Sequence, residues 1–177
     1  MSITQKRLVK EFLRKHRQVI GKDEIDLGVT PTVEHEIDVQ GSTPIKQRYR
    51  RFAPPMQSEI KIELEKLLRQ GIIEPSVSSW ASPLMPVRKK NSKLRICVDF
   101  RAVNNVTKKD SFLLPCIADA VNHFSGSKYF STLDLLSGYH QIPLSAASKE
   151  ITSFSTGDKL YQYTRLPFGL TNATGGA

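Results

Sequence analysis

The order of apolar and polar residues changes period several times along the chain, from helical spacing to strand-like alternation and back. Leu8, Val9, Phe12 and Leu13 recur three and four residues apart among Lys6, Arg7 and Lys10, which predicts an amphipathic first helix. The loop over 21–31 follows, in which Asp23, Glu24 and Asp26 read as a solvated acidic turn. Val33, His35, Ile37 and Val39 then alternate with Glu34, Glu36 and Asp38, the pattern of a half-exposed strand with His35 as a core or rim histidine. Met56, Ile60, Leu64, Leu67 and Leu68 mark one face of a longer helix that opens at Pro54-Pro55 and is closed by Gly71.

A Ser/Pro-rich connector over 76–83, holding Trp80, leads into 84–90 and 93–99. These two runs, joined at Asn91-Ser92, predict a hairpin with basic tips in which Pro86 suits an edge position. Ile117, Val121 and Phe124 form a short helical stripe ended by Gly126. The run Tyr129-Phe130-Ser131-Thr132-Leu133 predicts a buried strand with Asp134 at its end, and 151–155 with 160–165 predict a second hairpin around Thr156-Gly157-Asp158. Hairpins mixed with helices, without regular strand-helix alternation, define an α+β fold. At 177 residues and 39% hydrophobic content, the chain suits one compact domain or two small lobes sharing a core.

Charge narrows the class of partner. The formal net charge is +9, and 88–109 alone holds eight basic residues against the single acid Asp99. That concentration favours an anionic partner such as nucleic acid. Arg48, Arg50 and Arg51 around Tyr49 and Phe52 read first as a surface loop with ordinary arginines, and second as a contact to a nucleic acid backbone. Cys97 and Cys116 form no CxxC pair and read as buried free thiols of a protein in a reducing compartment. No apolar run reaches the ~18 residues of a membrane span, and the basic N-terminus lacks the apolar block of a signal peptide. The protein is expected to be intracellular, with no membrane partner.

Asp134 is the residue that most needs a chemical reason. An unpaired buried carboxylate costs several kcal/mol, so such an acid is paired, hydrogen-bonded or metal-bound. Together with the basic hairpin it suggests one carboxylate holding a divalent cation and several cations holding a polyphosphate, for which magnesium suits. A cap on the turn or helix after the strand is the alternative. The residues alone leave both open.

The segments "LRICVDFRAVNNVTKKDSFLLPCIADAVNHFSGSKYFSTLDLLSGYHQIPL" and "YQYTRLPFGLTNA", with "LEKLLRQGIIEPSVSSWASPL" before them, closely resemble the reverse transcriptase of gypsy-type long-terminal-repeat retrotransposons and retrovirus-related Pol polyproteins. The resemblance covers about 12–173. It implies a right-hand polymerase of which the chain holds the fingers, with their basic hairpin, and part of the palm. On that basis 1–31 is an N-terminal helix and linker, and 32–177 is the fingers and N-terminal part of the palm. In "STLDL", Asp134 matches the acid that binds both catalytic magnesium ions and Leu135 the residue whose carbonyl completes one shell. Lys89 and Arg95 match positions that grip the incoming deoxynucleoside triphosphate, with Lys90 as the alternative to Lys89. Ser137 and Gly138 match backbone N–H groups facing the triphosphate, and Tyr139 the aromatic floor under the sugar, with a buried core tyrosine as the plainer reading. Phe168 matches a position against the nucleotide, while Gly169 and Arg101 match contacts to the template strand. His140 reads as a packing or substrate-side residue.

The resemblance further implies RNA or DNA template-primer as partner, a cytoplasmic particle as location, and the remainder of a polyprotein as a second partner. The family pattern continues past "LTNA" into a hairpin with two adjacent aspartates, whereas here Thr174-Gly175-Gly176-Ala177 follows. With one of three expected carboxylates, the two-metal site is expected to be incomplete and the polypeptide alone inactive. The other expectation is a non-catalytic nucleic-acid-binding or interaction protein derived from a retrotransposon. The strand before Asp134 would then present an open apolar edge.

Overall fold

The computed structural model describes residues 2–21, 27–89, 92–111, 116, 119, 121 and 124–173. The acidic turn of Asp23, Glu24 and Asp26, the alternative Lys90, and Ile117 of the predicted stripe lie outside them. Helix α1 spans Ile3–Lys15, capped by the Ser2 hydroxyl, which accepts from the Gln5 N–H, while the Gln5 side chain accepts from the Ser2 N–H. This reciprocal pair satisfies two of the donors a helix start leaves free. The predicted helix is present, but none of its residues is buried, so its apolar face meets no described partner.

Helix α2, Pro54–Arg69, follows the pattern closely. A proline at the first position costs no hydrogen bond and presets φ, and Gly71 at φ 63° ends the helix where a side chain would be strained. Ile60 and Leu64 are buried, with Met56, Leu67 and Leu68 packed beside them. They seat α2 on β1 (Ile73–Pro75), which the sequence pattern missed because only three residues pair.

The central sheet has the order β1-β6-β5-β2, with β2 at Ser82–Pro83, β5 at Phe154–Ser155 and β6 at Leu160–Tyr163. Strands β1 and β5 both pair antiparallel to β6, whereas β2 joins β5 in parallel. The second predicted hairpin is therefore real but shorter than expected. Its first arm loses Ile151 to a helix, Ala146–Ile151, which opens at Ser145. The basic hairpin is also present: β3 (Val87–Arg88) pairs with β4 (Leu94–Arg95), and the ladder resumes beyond Pro86 with Met85 N–H to the Cys97 carbonyl and a bridge between Leu84 and Val98. Pro86 has no N–H to give, which accounts for the interruption. Arg101–Val106 forms a short helix, α3, and Ala146–Ile151 is α4.

The core gathers Ile72, Ile73, Leu84, Phe100, Val103, Phe154 and Leu166 between α2 and the sheet. The expected strand over 33–39 reduces to a bridge between His35 and Leu144; the alternation holds from His35 to Val39, with His35 and Ile37 buried, but Val33 is exposed. Burial pushes the His35 imidazole below its usual range, partly opposed by the Asp110 charge. Among the cysteines, Cys97 is half-buried, but Cys116 is exposed, against expectation.

The largest correction concerns 129–135. Instead of a buried strand, it has no strand pairing, and Phe130 is 66%, Leu133 95% and Leu135 74% exposed. Val121 and Phe124 of the preceding stripe are exposed as well. The physical reason is the absence of a neighbour: strand residues bury only against a paired strand or a facing layer, and no described segment supplies one here.

Candidate active site

The basic hairpin forms one wall of the site. Leu94 is buried beneath it, and the Arg88 guanidinium donates to Glu59 of α2 at 2.8 Å, which pins β3 to the helix. That hydrogen bond and charge raise the Arg88 pKa further. Next to it, Lys89 N–H donates to the Lys93 carbonyl and Ser92 N–H to the Lys89 carbonyl, so the turn holds Lys89 at the hairpin tip.

A cleft of about 1000 Å3 opens between this hairpin and α2. Lys89, Arg95, Ser137 and Phe168, drawn from three separate stretches of sequence, line it together. The Arg95 guanidinium lies 4.3 Å from the centre of the Phe168 ring, a cation-π contact that leaves its edge available for phosphate. Tyr139 meets Phe168 edge-on at 5.1 Å and His140 does so at 5.3 Å. Tyr139 is half-buried, which fits both a core tyrosine and a ring facing a ligand.

His140 also lies roughly parallel to Tyr163 at 6.5 Å. Burial, with Arg165 and Arg95 nearby, lowers its pKa to about 4, so the imidazole is neutral near pH 7 and carries no competing positive charge into the cluster. Behind it, Arg165 donates to the carbonyls of Leu27, Gly28 and His140 at 3.1 to 3.4 Å. One guanidinium thereby ties the segment before Thr30 to the wall of the cleft. The motif resemblance assigned Arg165 no role, and its spacing offered no signal for one.

Ser137 has φ 46° and ψ 50°, a left-handed conformation, and starts a tight helical turn over Gly138–Gln141. Gln141 Nε2 donates to the Leu136 carbonyl across that turn. A side chain at Gly138 would put its Cβ 3.2 Å from the Leu135 Cβ, so the glycine permits the close approach.

Arg101 and Gly169 sit beside the cleft and do not line it. Asp99 is buried, and its carboxylate accepts twice from the Arg101 guanidinium, at 2.8 and 2.6 Å, once from the Arg101 backbone N–H at 3.4 Å, and once from Arg50 at 2.9 Å. The Arg101 hydrogen bond, more than any other cause, holds the Asp99 pKa below the usual carboxylate range. Arg101 is 80% exposed and remains open to a ligand on its outer face. Gly169, at φ 95°, is fixed by Asn104 of α3, whose Nδ2 donates to the Gly169 carbonyl at 2.8 Å and whose Oδ1 accepts from Thr171 N–H at 3.0 Å. Sequence reading passed over Asn104, because a side chain that serves two backbone groups distant in sequence leaves no local pattern.

Asp134 and Leu135 stand apart from the cleft lining, and Asp134 is exposed with no ion pair or side-chain hydrogen bond to any described residue. Among the described residues no three His, Cys, Asp or Glu side chains come together. A carboxylate and an adjacent carbonyl are hard oxygen donors that suit magnesium, but they close only part of a shell and need substrate oxygens or further ligands.

A basic hairpin packed on a helix, a four-stranded sheet under it and a cleft where cations and aromatics converge define the fingers and the beginning of the palm of a right-hand polymerase. Residues 87–174 match the family described as Reverse transcriptase (RNA-dependent DNA polymerase). The chain belongs to that family and is similar to the reverse transcriptase region of retrovirus-related Pol polyproteins. It is 41% identical to the Pol polyprotein from transposon 412 of Drosophila melanogaster over 143 residues, covering 77% of this chain and 12% of that one. To the polyprotein from transposon gypsy of the same organism it is 33% identical over 175 residues, covering 96% and 17%. The foamy viral protease-reverse transcriptase in complex with RNA/DNA hybrid superposes with a TM-score of 0.86 at 26% identity, covering 99% of this chain and 24% of that one. The chain thus spans well under a quarter of the length of these curated relatives.

Proposed function

We propose that the chain forms the fingers and first part of the palm of an RNA-directed DNA polymerase, the part that receives a deoxynucleoside triphosphate and the template strand. The observation that carries this reading is the convergence of Lys89, Arg95, Ser137 and Phe168 on one cleft. Lys89 serves as a mobile point charge for the triphosphate, and Arg95, flattened on Phe168, as a planar two-pronged donor. The backbone N–H groups of Ser137 and Gly138 face the same phosphates, and Tyr139 lies under the sugar, where a large ring collides with a ribose 2′-hydroxyl. Gly169 and Arg101 contact the template. Asp134 and the Leu135 carbonyl would hold magnesium, which when bound would supply the positive charge that favours attack by a primer 3′-hydroxyl and departure of pyrophosphate.

Among the described residues Asp134 is the carboxylate we assign to that site. A carboxylate and one carbonyl would fill only part of a magnesium coordination shell, so we infer that this polypeptide by itself does not extend a primer. The neighbouring solved proteins were captured with RNA/DNA hybrid and with double-stranded DNA. Template-primer is by extension the nucleic acid partner proposed here.

Binding and catalysis separate in the test. Fluorescence titration with a deoxynucleoside triphosphate and magnesium is expected to give saturable binding that Arg95→Ala weakens at least tenfold, corresponding to one lost charge-assisted phosphate contact. Primer extension on an RNA template is expected to give no product. Template-dependent incorporation that Asp134→Ala abolishes would refute the inactivity, and binding indifferent to Arg95→Ala would refute the site.

A further inference from the structure

Arg165 does not line the polymerase cleft, yet it reaches the turn that does. Its main chain is fixed first: Arg165 bridges antiparallel to Pro143, Leu166 N–H donates to the Ile142 carbonyl at 2.8 Å, and Leu144 N–H donates to the Thr164 carbonyl at 3.0 Å. From that base its Nη1 donates to three carbonyls, those of His140 at 3.1 Å, Gly28 at 3.3 Å and Leu27 at 3.4 Å. The guanidinium makes no ion pair with any described residue, so its described bonds all go to backbone. They join two segments far apart in sequence.

The same two segments also touch directly. Thr30 N–H donates to the Gln141 carbonyl at 2.8 Å, and Leu27 lines the cleft beside Leu136, Ser137 and His140. The strap 27–30 is thus fastened to the turn 137–141 at two points, one of them through Arg165. That turn carries Tyr139 and His140, and both rings meet Phe168 edge-on, at 5.1 and 5.3 Å. Arg95, which lies 4.3 Å from the centre of the same Phe168 ring, is anchored separately on β4. A shift of the His140 backbone therefore displaces the Tyr139 ring while leaving the cations of the hairpin in place.

We propose that Arg165 is a positioning residue for sugar selection: by tying the His140 carbonyl to the strap 27–30, it holds the turn so that the Tyr139 ring excludes a ribose 2′-hydroxyl. The inference rests on the place given to Tyr139 under the sugar in the preceding subsection. A ring excludes one oxygen atom only where it cannot yield, and rigidity of that kind comes from the shell behind the contact. Arg165 supplies it without touching the nucleotide. A phosphate ligand would act on ribo- and deoxynucleotides alike, and so would a residue that only stabilises the fold; a support for the sugar floor changes the ratio between them.

The test titrates the 177-residue chain with dATP and with ATP, each with magnesium, and reads the ratio of the two affinities. The unaltered chain is expected to favour dATP. Arg165→Met is expected to lower that preference about fivefold, the equivalent of about one net hydrogen bond, whereas Arg95→Ala is expected to weaken both nucleotides equally. Arg165→Lys, whose ammonium offers three donors to the same three carbonyls, is expected to restore the preference. Fluorescence of buried Trp80 checks the fold of each variant. If the methionine variant does not fold, Arg165→Gln, uncharged and too short to serve both segments, takes its place in the same ratio. An unchanged preference in a natively folded variant overturns the proposal, as does an equal loss of both nucleotides. A lysine variant that behaves like the methionine one, or an unaltered chain that binds dATP and ATP alike, overturns it too. If Arg95→Ala weakens both nucleotides while Arg165→Met spares the ratio, the polymerase reading stands and this inference falls; if the unaltered chain binds neither, both fall.

Discussion

Phe154 has no exposed surface and Phe130 is 66% exposed, although each lies in a run of strand-forming residues that includes serine and threonine. Phe154 belongs to β5, which has β6 on one side and β2 on the other. Phe130 stands in 129–135, where no described strand pairs and the nearest ring contact is Phe124 at 5.7 Å. The difference teaches that strand propensity is a statement about available neighbours. The scaffold of the fingers has its neighbours within the described chain, whereas the segment bearing Asp134 does not.

The sharpest way to break this contrast is to delete the two phenylalanine rings in turn. Phe154→Ala is expected to destabilise the fold by about 3 to 5 kcal/mol, the range for emptying a packed aromatic site. Phe130→Ala is expected to change stability by less than about 0.5 kcal/mol, as surface substitutions do. Urea unfolding followed by tryptophan fluorescence from buried Trp80 measures both. Equal losses at the two sites would end the distinction.

A second effect comes from acid. The His140 pKa is lowered to about 4 from 6.5, so the unfolded chain takes up the proton first. Stability associated with the neutral imidazole is complete above pH 6.5 and is lost as pH falls towards 4, by at most about 3 kcal/mol. His140→Phe is expected to flatten the acid limb of the stability profile between those values, and an unchanged limb would argue against burial of the ring beside Arg95 and Arg165.

A smaller effect is expected at Asn104. Its replacement by alanine removes two bonds to the backbone around Gly169, at a cost of about 1 to 2 kcal/mol, and is expected to speed amide exchange at Thr171 specifically. Asp99→Asn is expected to cost about 1 kcal/mol, held down by the exposure of Arg101. Since the Asp99 pKa is depressed, its contribution is present above the ordinary aspartate range and disappears as pH falls through the lowered value, so wild type and variant converge in acid.

Legibility in the sequence follows the same division. Helix α2 could be read in full, because a sixteen-residue face with Pro54 at one end and Gly71 at the other is a local signal. The pairing of β2 with β5 could not, since two residues in parallel across a long stretch of chain carry no local period. Motif resemblance supplied Lys89, Arg95, Ser137 and Phe168 as candidates, and the fold puts all four on one cleft. Arg165, Asn104 and the pairing of Arg50 with Asp99 were invisible because each joins segments far apart in sequence through a side chain. The segment that carries Asp134 was misread as a buried strand, since its burial depends on neighbours that no residue within 129–135 specifies.

Amide hydrogen exchange on the free 177-residue chain tests the contrast most directly. Leu160–Tyr163 of β6, paired on both sides, is expected to exchange only by global unfolding, while 129–135 is expected to exchange as fast as an unstructured peptide. Strong protection across 129–135 in a monomer would contradict the account.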